Sequence, residues 1–325
     1  MQRILVTGGA GFIGSNLCEH FLELGYKVRC VDNFLTGRKS NIEGLLSHAN
    51  FEFLEGDILD VDFMSTVLLD VDIVSHQAAL GSVPRSIANP VRTNEINAHG
   101  FLNVLTLAKD AGVKRFVYAS SSSVYGDSQK SPKIEEELGK PLSPYAVSKL
   151  TNELYGRVFN QLYGMETIGL RYFNVFGKNQ DPNGVYAAAI PKFIQLFLDG
   201  EAPTIFGDGS QTRDFTYIKN VIHANQCAVE SINQEAFGEA FNVACGDSFD
   251  LNEVVNILKS NLISIDKRIE EIQPIYVDVR KGDIKDSLAN ISKIKNLLNY
   301  KVQLNFAEGM KEYIKVMSVK NIDQN

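Results

Sequence analysis

Tyr145 and Lys149 stand four positions apart in Tyr145-Ala146-Val147-Ser148-Lys149. At that spacing two side chains share one face of a helix. A phenol with its ordinary pKa near 10 is a poor base at neutral pH. An ammonium beside it and a positively charged ring close by stabilise the phenolate and lower that pKa. The pair then becomes an acceptor for the proton of a substrate hydroxyl. About twenty residues earlier the chain reads Ser120-Ser121-Ser122-Ser123-Val124-Tyr125-Gly126, where a hydroxyl can bridge the phenol and a substrate oxygen. The plainer readings are a solvated helix face for the Tyr–Lys pair and backbone caps for the serines.

A second set of residues supplies the charged ring. Gly8-Gly9-Ala10-Gly11-Phe12-Ile13-Gly14 satisfies G-x-G-x-x-G. Such glycines permit a tight turn, let backbone approach a pyrophosphate, and allow close packing of helix on strand. The helix that follows presents free N–H groups to the phosphates. The turn follows the apolar run Arg3–Thr7 and precedes a second strand candidate, Lys27–Asp32, which ends in a carboxylate. Strand, glycine turn, helix and acidic strand end are the context this motif requires. Asp32 can accept from the diol of an adenosine ribose and repels a 2′-phosphate, which favours NAD; Arg38 keeps NADP as the alternative. Asn33 and Gly37 follow Asp32 and belong with it. Asp57, followed by Ile58, ends a third strand and can accept from an adenine amino group; its alternative is a helix N-cap. Gln77, Ala78 and Ala79 follow the fourth strand, where backbone passes the pyrophosphate and the nicotinamide ribose.

The elements that hold these residues alternate. Strand candidates at 3–7, 27–32, 51–57, 72–79, 114–123 and 165–177 are separated by helical patterns, including long helices at 92–111 and 144–163, the second opened by Pro144. The strands are nearly continuous in apolar residues, as expected of a parallel sheet covered on both faces. From about residue 175 the rhythm breaks. Residues 186–200 look helical, 204–218 look like a hairpin or looped strands, and 219–232 form a helix that returns to the first part. Residues 242–260 read as strand, loop and helix, and 281–300 as loop and helix. The expected architecture is α/β: a doubly wound parallel sheet over 1–175 with returning segments near 215–245, and a smaller interleaved lobe over 176–325.

Composition sets bounds. Of 325 residues, 44% are apolar and 22% charged, which fits a folded domain with a sizeable core. The net charge of −7 and the lack of a basic stripe argue against nucleic acid. Cys18, Cys30, Cys227 and Cys245 form no C-x-x-C pair, and five histidines form no metal motif, so a reducing compartment and no metal are expected. No leader-like segment or long apolar span is evident, so a cytoplasmic protein is expected.

Taken together, TGGAGFIGS (7–15), HQAALGSVPRS (76–86), YASSSSVYG (118–126), SPYAVSK (143–149), LRYFNVFG (170–177), RDFTYI (213–218) and VRKGD (279–283) resemble the extended short-chain dehydrogenase/reductase family. Within it the chain is most similar to UDP-sugar 4-epimerases, in particular the bacterial UDP-N-acetylglucosamine/UDP-N-acetylgalactosamine 4-epimerases of surface-polysaccharide pathways. The resemblance covers essentially the whole chain. It implies a Rossmann-type cofactor domain, a UDP-sugar substrate, NAD held through every turnover, and a homodimer through the helices at 92–111 and 144–163.

Residue by residue, the resemblance implies that Ser121 is the catalytic serine, beside Tyr145 as base and Lys149 as its modulator. Tyr172 and Asn97 would lie near the nicotinamide, Asn174 at the UDP, and Thr204 to Gly207, with Phe206, along the uracil. Arg213 and Arg280 would hold the diphosphate, whose oxygens suit a planar guanidinium, and Asp283 the uridine ribose. Gly81, Ser82, Ser122, Ser123, Asn174 and Ala188 would line the sugar pocket. Ser287 would set its far wall, where related enzymes restricted to plain sugars carry a bulky residue, commonly Tyr. A dehydratase or decarboxylase of this family would carry an acid after the fifth strand; residues 118–126 hold none. The expected reaction is therefore C4 epimerisation of UDP-GlcNAc and UDP-GalNAc. UDP-glucose/UDP-galactose, or the N-acetylhexosaminuronic acids, are the alternative substrates. An inactive NAD-binding protein is the non-enzymatic alternative.

Overall fold

The computed structural model describes residues 1–182, 189–279 and 286–322, with side chains through residue 317. Six strands form in order along the first part: β1 (Arg3–Thr7), β2 (Lys27–Asp32), β3 (Phe51–Glu55), β4 (Ile73–His76), β5 (Arg115–Ser121) and β6 (Glu166–Tyr172). All pair in parallel, in the order β3-β2-β1-β4-β5-β6. The order reverses between β1 and β4, the point at which doubly wound sheets bind ligands beyond their strand ends. Successive side chains face opposite ways. Ile4 and Val6 enter one core with Val117 and Ala119, while Leu5 enters the other with Phe116 and Tyr118.

The connecting helices follow the expected pattern, with differences at their ends. They are α1 (Phe12–Glu23), α2 (Val61–Val67), α3 (Val83–Ala88), α4 (Pro90–Asn94), α5 (Phe101–Asp110) and α6 (Pro144–Tyr163). The long helix expected at 92–111 is α4 and α5 joined by a wide π-helical turn at Glu95–Gly100. Such turns displace a side chain from regular helical register. Helix α6 starts as expected, with Pro144 in its first turn and Ser143 capping it through a bond from the Ala146 amide (3.1 Å).

Beyond β6 the strands are short: β7 (Val175–Phe176), β8 (Thr204–Phe206), β9 (Thr212–Arg213) and β10 (Thr216–Tyr217). The hairpin reading of 204–218 is wrong. Strands β8, β9 and β10 each pair with a distant segment. β10 pairs with β7; β8 pairs with β13 (Ile275–Val277); and β9 lies between β12 (Phe249–Asp250) and β14 (Asp286–Ser287). Strand β11 (Glu239–Val243) joins the main sheet as its seventh strand, parallel to β6. Helices α7 (Ala189–Leu198), α8 (Ile218–Glu230), α9 (Leu251–Leu262), α10 (Ser292–Leu298) and α11 (Phe306–Ile322) complete the chain. Helix α8 packs on α1 and on β5 and β6.

The two faces of the sheet have different cores. The face covered by α2, α5 and α6 has its own cluster around Phe101, Phe116 and Tyr118. The face covered by α1 and α8 runs without a break into the smaller lobe, through Phe176, Phe197, Tyr300 and Phe306. The architecture is an N-terminal Rossmann-type parallel sheet followed by a smaller C-terminal α/β lobe. No helix among the described residues is long and apolar enough to cross a membrane.

Candidate active site

The Gly-rich turn lies directly between β1 and α1, above the sheet's reversal point. Gly8 has φ +66°, and a Cβ there would sit 2.7 Å from the Ala78 backbone. A Cβ on Gly14 would collide with the Gly8 carbonyl, so α1 approaches the turn at backbone distance only because that side chain is missing. Gly8, Gly11, Phe12, Ile13, Gly14, Asp32, Asn33, Asp57, Ile58, Gln77, Ala78, Ala79, Gly81, Tyr145, Lys149 and Tyr172 all line one cleft over the strand ends. Val31, Leu35, Thr36, Gly56, Leu80, Ile96, Ala119 and Ser120 complete its wall and were not among the expected site residues.

The acidic end of β2 is built into the turn. Asp32 accepts from the amides of Ala10 (2.9 Å) and Phe34 (2.8 Å). Burial pushes its carboxyl upward, against those backbone bonds. Gly37 lies against the carboxylate closely enough that a Cβ would crowd it at 2.8 Å. Arg38 pairs with Asp181 at 2.5 Å, which counters the charge that would attract a 2′-phosphate. Asp57 accepts from Asn33 Nδ2 (2.9 Å) and from the Leu59 amide (2.9 Å). It does not cap the following helix; Asp60 does so for α2, accepting from Phe63. A glycine cradle closed by an acidic strand end fits a dinucleotide with a free ribose diol.

At the other end of the cleft, β5 and α6 bring the catalytic candidates together. Ser121 lies beside the Tyr145 phenol, close enough to lower its pKa, and accepts from the Ser123 amide (3.1 Å). Lys149 is buried, donates to the Ala119 carbonyl (2.8 Å), and its Nζ lies 5.9 Å from the Tyr145 ring centroid. Burial lowers Lys149 to about 8, while Glu153 acts to raise it. Burial pushes the phenol up, and the Ser121 hydroxyl beside it acts in the opposite direction. The ammonium points at a strand carbonyl and is itself poorly solvated. Lowering the phenol further requires a charge brought in by the cofactor.

Tyr172 closes the cleft floor. Its hydroxyl accepts from Asn225 Nδ2 (2.9 Å) and donates to Gln77 Oε1 (3.1 Å), while Gln77 Nε2 donates to Ser75 Oγ (3.0 Å). Asn225, on α8, carried no motif signal. Asn97 stands one layer behind the wall. It accepts from the Leu80 amide (2.7 Å), donates to the Leu80 carbonyl (3.1 Å), and also reaches Ser148 Oγ (3.3 Å). It therefore holds the loop after β4, and the π-helical turn is what aims it there.

The remaining candidates lie on loops after β4, β5 and β6 and on the short strands of the smaller lobe. Ser82 has φ +95° and caps α3 through a bond from the Arg85 amide (3.3 Å). Ser122 and Ser123 form the 3-10 turn after β5, and Ser123 Oγ is buried without a protein partner. Asn174, at φ +34°, donates to the Asp214 carbonyl (3.0 Å). Arg213 on β9 lies in register beside Ser287 on β14, and its Nη1 donates to the Thr212 carbonyl (2.8 Å). Thr204 and Phe206 flank the buried Ile205 on β8. Asp214 is fully buried and accepts from the amides of Cys245 (3.0 Å), Gly246 (3.0 Å) and Ala289 (3.3 Å), fastening β9 to the segment after Ser287. Ala188, Arg280 and Asp283 lie outside the described residues. No cluster of three or more potential metal ligands occurs among the described residues.

Comparison with known proteins agrees with this geometry. The family model for the NAD dependent epimerase/dehydratase family matches residues 4–244. The UDP-N-acetylglucosamine 4-epimerase of Methanobrevibacter ruminantium, solved with UDP-N-acetylmuramic acid, is 39% identical with a TM-score of 0.91, over 98% of this chain and 99% of that one. The UDP-glucose 4-epimerase of Thermotoga maritima, solved with UDP-glucose, is 34% identical with a TM-score of 0.90, over 98% and 99%. The UDP-glucuronic acid 4-epimerase of Bacillus cereus, solved with UDP-glucuronic acid and NAD, is 32% identical with a TM-score of 0.86, over 97% and 100%. The chain belongs to the NAD dependent epimerase/dehydratase family.

Proposed function

We propose that this protein is a UDP-sugar 4-epimerase. The observation that carries the reading is the Ser121–Tyr145–Lys149 set at the end of the glycine-turn cleft, with no carboxylate between Tyr118 and Gly126 to drive elimination or decarboxylation. Bound NAD would supply reversible hydride transfer at C4 of the sugar. Tyr145 takes the O4 proton, with Ser121 bonded to its phenol and bridging to the sugar oxygen. Lys149 holds the nicotinamide ribose and adds positive charge beneath the phenol ring. Arg213, with Arg280 and Asp283 as its proposed partners, anchors the UDP half. The 4-keto sugar can then turn about its link to the diphosphate while binding energy stays on the part that does not react. Tyr145 returns the proton once C4 has been reduced on its other face. The cleft residues from Gly8 to Tyr172 would hold NAD through the cycle, so that no outside redox partner is needed.

For the substrate, the relatives named for glucose and glucuronate support a plain or uronic UDP-hexose better than an acetamido preference. The second reading, UDP-GlcNAc and UDP-GalNAc, is favoured by the relative named for UDP-N-acetylglucosamine and by Ser287, a small residue in register with Arg213. We also infer a homodimer. Helix α6 exposes Val147, Leu154, Val158 and Leu162 along one stripe, next to exposed Ile87 and Val91. Incubating the purified protein with UDP-galactose, UDP-GalNAc or UDP-glucuronate, without added NAD, and following proton NMR tests the reading. The epimerase yields the 4-epimer of at least one sugar. A product lacking the 6-hydroxyl, or no conversion of any, contradicts it.

A further inference from the structure

Glu153 lies one helical turn beyond Lys149 on α6 and is buried at 8% exposure. Its carboxylate is held by three donors. Ser120 Oγ reaches Oε1 at 2.5 Å, and Arg171 on β6 binds both oxygens, Nε to Oε1 at 2.9 Å and a terminal nitrogen to Oε2 at 2.8 Å. Ser120 is itself part of the cleft wall and immediately precedes Ser121. A buried carboxylate that costs desolvation needs such partners to persist, and here those partners lead straight into the reacting centre.

We propose that Glu153 is a positioning residue for the Tyr145–Lys149 pair: it fixes the end of β5 through Ser120 and is the buried negative charge one helical turn from Lys149. This rests on the epimerase reading above. The groups around Lys149 support the assignment. Its own helix presents Tyr145 and Glu153. Strand β4 presents His76, whose ring is held neutral by burial and by Lys149 itself, at about 3. Strand β5 presents the Ala119 carbonyl, and β6 contributes Tyr172 to the same cleft and, through Glu153, Arg171. Glu153 is the negative charge acting on Lys149 in this set. The network also reaches the other half of the site. Arg171 donates to Tyr125 Oη (3.0 Å), Tyr125 to Asn242 Oδ1 (2.7 Å), and Asn242 to the Lys133 carbonyl (3.0 Å), while the Lys133 amide donates to the Leu288 carbonyl (2.7 Å), next to Ser287.

The test is the pH profile of kcat/KM for the full-length protein on a UDP-sugar that the wild type epimerises. Glu153→Gln keeps the shape and one of the two acceptor oxygens but removes the charge; its alkaline limb should move down by about one pH unit or more, an activity loss of about tenfold at the wild-type limb. Arg171→Gln removes the opposing charge and should move the limb up. Glu153→Asp should keep the wild-type limb even where its kcat is lower. A packing role cannot shift the two limbs in opposite directions, so uniform losses with unmoved limbs would overturn the proposal. If Glu153→Gln does not fold, the Arg171→Gln limb alone decides, and an unmoved limb there has the same force. A wild type that epimerises no UDP-sugar would bring down the epimerase reading and this proposal with it.

Discussion

The two halves of the cleft are built in opposite ways. The cofactor half comes from strands of four to seven residues in sequential βα units, with its polar groups at strand ends: Asp32 after β2, Gln77 after β4, Ser121 at the end of β5. The sugar half is sewn from two- and three-residue strands that come from distant segments: Arg213 pairs with Ser287 and, on the other side, with Phe249. In the first half a single contiguous stretch sets each position. In the second, position depends on fasteners such as Asp214, whose carboxylate gathers three backbone amides from two separate segments. Damage should therefore be local and chemical on one side, and spread through the architecture on the other.

Removing the phenol oxygen has the largest expected effect. Tyr145→Phe should cut kcat by about 10³-fold and leave bound NAD in place, as read by single-turnover assay and by cofactor release on denaturation. Asp214→Ala breaks the sugar half at its fastener. Leaving buried amides without an acceptor should cost about 2–4 kcal/mol in thermal unfolding and raise KM for the UDP-sugar while the Gly-rich turn still holds NAD. Equal loss of cofactor and substrate binding would erase the distinction between the halves. Ser287→Tyr should lower kcat/KM for acetamido sugars by about 10–100-fold relative to plain ones, if the second substrate reading holds; unchanged kinetics on UDP-GalNAc would reject Ser287 as the gate. The smallest effect is a pH limb. Lys149 works as the protonated form, and burial brings it to about 8. The alkaline limb of kcat/KM should therefore fall about tenfold per unit above that pH.

This contrast also explains what could be read from the sequence. Long strands buried on both faces announce themselves as apolar runs, and the glycine turn and the Tyr–Lys pair lie beside such runs, so the cofactor half was legible. A two-residue strand such as β9 or β14 has no periodicity, which is why 204–218 resembled a hairpin although its strands pair elsewhere. The last helix, α11, did leave a signal that was not used: Asn305 and Glu308 exchange amide bonds at 3.0 and 2.9 Å as a capping pair, ahead of Phe306, Met310, Tyr313 and Ile314 at helical spacing. Glu153, Arg171 and Asn225 have no local signature, because their roles arise from partners 18 to 148 residues away.

The central claim is that C4 of a UDP-sugar gives up its hydrogen and receives the same one back while Tyr145 handles only the O4 proton. The direct measurement is turnover of UDP-galactose deuterated at C4 in ordinary water, with no added NAD. The account predicts UDP-glucose that keeps its deuterium at C4. Loss of that label to solvent, or a product unchanged at C4, would contradict it.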